Sequence, residues 1–187
     1  MSASMKPVYI AEPQTGEEEA AAVCEVLASG VLAKGPAVAD FEERFARFVG
    51  AREAIAVSNG TAGLEVALSA LGIGPGDEVI TVPFSFFATA GAVLRVGATP
   101  VFVDVNLEDF TIQCDLIESA VTPKTRAIIP VHLYGHVANM PRILEIANAH
   151  NLHVIEDACQ AHGAGIDGRK AGSFGLAVFS FYATKNL

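Results

Sequence analysis

The chain has no tryptophan, three tyrosines and three cysteines in 187 residues. Cys24, Cys114 and Cys159 lie far apart without C-x-x-C spacing, which argues against a zinc site, and their odd number argues against a disulfide framework. A reducing, cytoplasmic setting is the expectation. Metal ligation is not expected elsewhere: His132 and His136 stand four apart, but Leu, Tyr and Gly lie between them and no H-E-x-x-H pattern occurs. These two histidines read as structural, and His150, His153 and His162 form no constellation. Charge is sparse at 18%, with 21 acidic against 12 basic residues and a formal net charge of -9. No Lys/Arg cluster stands out, so neither nucleic acid nor an anionic membrane surface is an expected partner. No apolar run approaches the length of a membrane span. Residues 1–6 lack the apolar region of a signal peptide, and none is expected.

What the chain does have is apolar mass, 51% of residues, and 17 glycines. This is the composition of an ordered globular protein. A chain of this size buries roughly 70% of its unfolded surface. Thr15-Gly-Glu-Glu18 fits a capping box and opens a helix expected over residues 17–29, closed by Gly30. Residues 30–36 read as a loop from their Gly and Pro. A second helix follows with Val38, Phe41, Phe45 and Phe48 on one face and Gly50 after its end. Glu42, Glu43, Arg44 and Arg47 read as its solvated face.

From residue 54 the pattern changes to short apolar runs alternating with helical segments. Strands are expected at 54–57, 79–82, 100–103, 127–131, 153–156 and 178–181. Helices are expected after Ser58-Asn59-Gly60-Thr61, at 87–96, at 115–120 and at 139–150 with Asn139 as N-cap. Alternation with continuous apolar strands predicts an α/β domain whose mostly parallel sheet is covered on both faces. Residues 1–50 then form an N-terminal helical segment and residues 51–187 the main domain. Ligands of such sheets bind beyond the carboxyl ends of the strands, and the polar residues placed there are the site candidates.

Ser58-Asn59-Gly60-Thr61-Ala62 joins a strand to a helix start. Free N–H groups and the helix dipole make that corner an anion site, and Gly60 lets a phosphate approach the backbone. Lys185 follows an apolar strand, and a partly desolvated lysine amine can form a Schiff base with an aldehyde. Asp157 ends another strand, where a carboxylate can keep a pyridine nitrogen protonated. The two-residue period of a strand points its neighbour Glu156 to the opposite face, which favours Asp157 and leaves Glu156 open. Phe86 follows a strand and can stack on a planar ring. Taken singly, these are a cap, a surface lysine, a turn carboxylate and a core phenylalanine. Together, an amine, an acid and a glycine-containing helix start are the parts of a pyridoxal phosphate site.

The segments Lys34-Gly-Pro-Ala-Val-Ala-Asp-Phe-Glu42, Ser58-Asn-Gly-Thr-Ala62, Gly74-Pro-Gly-Asp-Glu-Val-Ile80, Pro130-Val-His-Leu-Tyr-Gly135, Val154-Ile-Glu-Asp-Ala158 and Ser180-Phe-Tyr-Ala-Thr-Lys-Asn186 resemble, in this order, the DegT/StrS-type aminotransferases. The resemblance implies the three-layer large domain of the fold-type I pyridoxal 5'-phosphate enzymes. It also implies that these residues precede a last, antiparallel strand and a small C-terminal domain found in family members. By position, Lys185 would carry the Schiff base and shuttle protons. Asp157 would pair with the pyridine nitrogen, and Gln160 would bond the phenolic oxygen. Gly60, Thr61, the Ala62 N–H and Ser180 would hold the phosphate, and Phe86 would stack on the ring. The implied reaction moves an amino group from an amino acid, glutamate, to a nucleotide-linked keto sugar in a homodimer, in polysaccharide biosynthesis. The alternatives are a related dehydratase, in which histidine replaces this lysine, a regulatory cofactor-binding protein, or an inactive fragment of the aminotransferase.

Overall fold

The structure is a computed structural model that describes Tyr9 and residues 11–186. Residues 1–6, where no signal peptide is expected, lie outside the described residues, as does Leu187. Helix α1 (Glu17–Ser29) spans the expected residues, but Thr15 is not its cap. Its N-cap is Gly16, whose N–H donates to the Glu19 carboxylate at 2.7 Å, so the reciprocal half of a capping box forms around a glycine instead of Thr15. Gly30 ends α1 at φ 71°, and Gly50 ends α2 (Pro36–Val49) at φ 82°, as a glycine past a helix end should.

The body follows as α3 (Gly60–Ala70), β1 (Glu78–Thr81), α4 (Ala88–Arg95), β2 (Thr99–Phe102), α5 (Cys114–Ala120), β3 (Thr125–Ile128), α6 (Met140–Ala149) and β4 (His153–Asp157). Then come the two-residue strands β5 (Gly165–Ile166) and β6 (Arg169–Lys170), and finally β7 (Leu176–Val178). The main sheet has the order β2-β1-β3-β4-β7 and every pairing in it is parallel.

Successive residues of the central strands feed different cores. Val79, Ala127, Ile129 and Ile155 pack with Leu64 and Leu68 of α3 and with Ala92 and Val93 of α4. Ile80 and Ile128 pack with Ile117 of α5 and with Met140, Ile143 and Ile146 of α6. A strand buried on both faces has no polar alternate, which is why these strands read as unbroken apolar runs. Each large side chain fully buried here contributes about 1.5–3 kcal/mol. The two cores, not the short ladders, hold the layers together.

Two expected strands are corrected. Residues 54–57 belong to no sheet among the described residues, and Ile55 is 74% exposed. The Ala56 N–H donates to the Glu42 carboxylate at 2.8 Å, so a side chain takes the place of a ladder partner. Glu42, which also meets Lys34 Nζ at 3.2 Å, is thereby removed from the solvated face on which Glu43–Arg47 and Asp40–Arg44 pair. The strand expected at 178–181 ends at Val178, because the register Asp157↔Val178 exhausts β4. Beyond it, Phe179 and Phe181 meet the aromatic face of α2: Phe45 lies edge-on to both at 4.9 and 5.2 Å, and Phe41 to Phe181 at 5.1 Å.

The β5–β6 hairpin turns through Asp167 (φ 51°) and Gly168 (φ 76°), the pair of left-handed residues that a tight two-residue turn requires. Lys170 Nζ donates to Phe48 O at 2.6 Å while lying 3.9 Å from the Phe48 ring centroid. A cation thus sits at the C-terminal end of α2, where the helix dipole favours it.

Candidate active site

The site lies where α3 begins and where β1, β3, β4 and β7 end. Asp157 is the last residue of β4, and its backbone is fixed on one side. Its N–H donates to Pro130 O at 2.9 Å and its carbonyl accepts from His132 N at 3.0 Å. The next N–H, that of Ala158, donates to Val178 O at 2.9 Å. Asp157 as a whole is 5% exposed. Its Oδ2 accepts from Thr89 Oγ1 at 2.8 Å and its Oδ1 from Cys159 N at 3.3 Å. Thr89 has a single hydroxyl proton. The charge-assisted bond to Asp157 claims it, and the Ser85 hydroxyl, 2.9 Å away, donates to Thr89 in turn. Thr89 is a site residue that the sequence reading omits, since nothing in a threonine on an apolar helix marks it.

Glu156 points to the other face and is fully buried. It accepts from His132 Nε2 at 3.0 Å, Gly172 N at 2.8 Å and Phe174 N at 2.9 Å. His132 Nδ1 accepts from Ala138 N at 3.2 Å, which assigns the ring proton to Nε2. Every oxygen of Glu156 is engaged inside the fold. The two neighbouring carboxylates thus face opposite sides of β4, and Asp157 is the one that meets Thr89 of α4.

The Phe179 and Phe181 rings lie against Phe45 of α2, while Ser180 between them lies against Gly60. A Cβ on Gly60 would stand 2.9 Å from Cys159 Sγ and 3.3 Å from Ser180 Cβ. At Gly63, one turn on, it would stand 2.7 Å from Val178 Cγ1. Glycine lets the first turn of α3 lie directly against β7 and the Ser180 segment. Asn59 caps that turn by accepting from Ala62 N at 2.9 Å. The Ala62 N–H, expected to serve an anion, is therefore already engaged. The N–H groups of Gly60 and Thr61 donate to nothing among the described residues.

Gln160 Oε1 accepts from Tyr134 N at 3.0 Å, and the Gln160 NH₂ donates to nothing among the described residues. Tyr134 holds a left-handed backbone, φ 53°, at that point. Phe86 is 58% exposed with its ring 4.5 Å from that of Phe87, and its carbonyl accepts from Thr89 N at 3.2 Å, so it stands on the segment that serves Asp157. Lys185 lies in a bend, half-buried, and its N–H donates to Tyr182 O at 2.8 Å. Burial, with the charge of Asp157 second, pushes the Cys159 thiol far above its ordinary range; the positive charge of Lys185 opposes this. Cys159 is thus a packed thiol under the glycine turn and not a nucleophile.

These residues fit a phosphorylated pyridine aldehyde. The glycine turn leaves two N–H donors and a serine side by side for a dianion, and a positioned carboxylate is available for a ring nitrogen. A donor amide suits a phenolic oxygen, and an amine is at hand for the aldehyde. No group of three or more His, Cys, Asp or Glu able to hold a metal occurs among the described residues. No helix among them is long and apolar enough to cross a membrane.

Known proteins carry the same arrangement of chain. The spore coat polysaccharide biosynthesis protein SpsC of Bacillus subtilis is 51% identical over 176 residues, 94% of this chain and 45% of its own. The dTDP-3-amino-3,4,6-trideoxy-alpha-D-glucose transaminase of Micromonospora megalomicea is 47% identical over 167 residues, 89% of this chain and 45% of its own. The solved PLP form of the putative sugar aminotransferase Spr1654 of Streptococcus pneumoniae superposes with a TM-score of 0.92 at 31% identity, covering 96% of this chain and 50% of that one. The chain spans about half the length of these relatives. The model of the DegT/DnrJ/EryC1/StrS aminotransferase family matches residues 13–187, and the chain belongs to that family.

Proposed function

We propose that this chain forms the cofactor-binding part of a pyridoxal 5'-phosphate-dependent aminotransferase. It would transfer an amino group from an amino acid, glutamate, to a nucleotide-linked keto sugar. The observation that carries the reading is the packing of Gly60 against Ser180 and Cys159 beside the Thr89–Asp157 pair. That packing gathers phosphate donors and a ring-nitrogen partner from four separate segments. The names of the relatives supply the sugar and the nucleotide.

When bound, the cofactor supplies an electron sink that lets an amino group change carbon atoms. The rest falls to the protein. Gly60 and Thr61 N–H and the Ser180 hydroxyl would hold the phosphate. Asp157, held by Thr89, would face the ring nitrogen and favour its protonated form. The NH₂ of Gln160, oriented by Tyr134 N, would donate to the phenolic oxygen. Phe86 would cover one ring face and limit access of water. Lys185 Nζ would hold the aldehyde carbon and supply the amine that moves a proton between substrate carbon atoms. We take residues 51–187 as the cofactor-binding domain, with α2 docked on it through Phe45, and the working assembly as a homodimer.

Borohydride treatment of the pyridoxal phosphate-loaded protein, followed by peptide mass mapping, tests the reading. The expected adduct is on Lys185, and Lys185→Ala abolishes it. An adduct that persists in Lys185→Ala, or no nitrogen transfer from labelled glutamate to any nucleotide-linked keto sugar, overturns the proposal.

A further inference from the structure

Lys185 has no ladder to hold it, since β7 ends seven residues earlier at Val178. The residue after it is gripped instead. Asn186 Oδ1 stands 2.7 Å from His162 Nδ1, and Asn186 Nδ2 donates to His162 O at 3.2 Å. A backbone carbonyl only accepts, so Nδ2 must face it and Oδ1 must face the ring. His162 Nδ1 therefore carries the proton, and Nε2 is the bare nitrogen. That nitrogen is buried and has no hydrogen-bond partner among the described residues. His162 is 8% exposed, and its ring lies between Phe179 and Phe181, at 5.3 and 5.1 Å. Both phenylalanines are anchored in turn by Phe45 of α2. His162 belongs to the turn after β4, five residues beyond Asp157 and two beyond Gln160.

We propose that His162 and Asn186 form a clasp that positions Lys185. The turn that carries the acid and the amide grips the segment that carries the amine, so the groups move as one unit. The need is physical. A lysine side chain has many rotamers to lose, and a backbone free to shift adds to the disorder of its amine. A displacement near 1 Å at a reacting group can cost about a hundredfold in rate. His162 acts through Asn186 and is a positioning residue. The clasp rests on the cofactor reading only for what Lys185 attaches.

The test uses the full chain with His162→Phe, which removes the bond from Nδ1, Asn186→Ala, which removes both bonds, and Asn186→Asp, which keeps the acceptor alone. Two rates and one equilibrium are read. The first rate is covalent capture of pyridoxal phosphate, followed by visible absorbance and borohydride trapping. The equilibrium is binding of pyridoxamine phosphate, which has no aldehyde and cannot bond to Lys185. The second rate, needing no cofactor, is reductive methylation of Lys185 by formaldehyde, mapped by mass spectrometry against the exposed Lys34. Capture is expected to slow by about ten- to a hundredfold in His162→Phe and Asn186→Ala, and by less in Asn186→Asp. Pyridoxamine phosphate binding should stay within about twofold. Unchanged capture, or capture and amine-form binding weakening together as in a general structural defect, overturns the clasp. Should the wild type fail to attach pyridoxal phosphate at Lys185, the cofactor reading falls and methylation decides. A Lys185 rate altered in the variants while Lys34 is unchanged upholds the clasp, and equal rates sink it.

Discussion

Gly60 and Ser180 approach so closely that a single methyl group on the glycine would lie 3.3 Å from Ser180 Cβ and 2.9 Å from Cys159 Sγ. Helix start, serine and cysteine come from three distant segments, and hydrogen is the only side chain that lets them meet. Gly60→Ala should cost about 1–3 kcal/mol by overpacking and weaken phosphate binding, because the turn must retreat from Ser180. Cys159→Ala in the same chain removes the shorter contact and should recover most of the loss. Urea titrations of the single and double variants measure it. A double variant no more stable than Gly60→Ala would show that the crowding lies elsewhere.

The neighbours Glu156 and Asp157 should answer the same substitution differently. Glu156→Gln places an NH₂ where only N–H donors point, at His132 and Gly172 or at Phe174. It should destabilise the fold by about 3 kcal/mol. Asp157→Asn faces a threonine hydroxyl that can reverse its role, and it should leave the fold within about 1 kcal/mol of wild type. Turnover should nonetheless fall on the order of a hundredfold or more, for want of a charge at the ring nitrogen. Denaturation curves beside steady-state assays separate the two, and equal stability losses would contradict the assignment.

Glu42 stands in for a missing neighbour at Ala56. Hydrogen exchange at the Ala56 amide should accelerate by about tenfold in Glu42→Ala and stay unchanged in Glu43→Ala, whose carboxylate pairs with Arg47. Equal protection in both variants would mean that residues 54–57 are held by something other than this bond.

Burial lowers the pKa of His162 from the ordinary 6.5, with the bond to Asn186 acting against it. The unfolded chain therefore takes up this proton first. Stability from this residue is complete above pH 6.5 and declines as pH falls below it, levelling once the folded imidazole is also protonated. In His162→Phe that component of the decline should vanish, so wild type and variant should differ in slope between pH 7.5 and 5.5. Parallel slopes would exclude His162 as the source.

The helices and the parallel sheet were legible because local signals and burial agree there. Asn139 and Gly30 punctuate helices, and Val79–Ile80 and Ile128–Ile129 are apolar because both faces of the sheet are covered. That Glu156 and Asp157 face opposite sides of β4 was legible because strand periodicity survives folding. The end of β7 was not legible. Phe179 and Phe181 look like strand residues, yet a strand extends only as far as its neighbour, and β4 stops at Asp157. The hairpin at Asp167-Gly168 carries a recognisable turn pair but lacks alternating apolar flanks, which hides it in the sequence. His162 and Thr89 have no local signature at all. Their roles come from Asn186, 24 residues away, and Asp157, 68 residues away, and distances of that kind are created only by the fold.

The back-to-back carboxylates of β4 constrain how such a chain can evolve. A one-residue insertion or deletion within this strand would exchange the two faces, turning the inner carboxylate toward the ligand and the outer one into three donors shaped for a longer side chain. Length changes are therefore expected to be purged from β4 while the loop after α6 tolerates them. A strand five residues long is held to its frame twice, once by folding and once by chemistry.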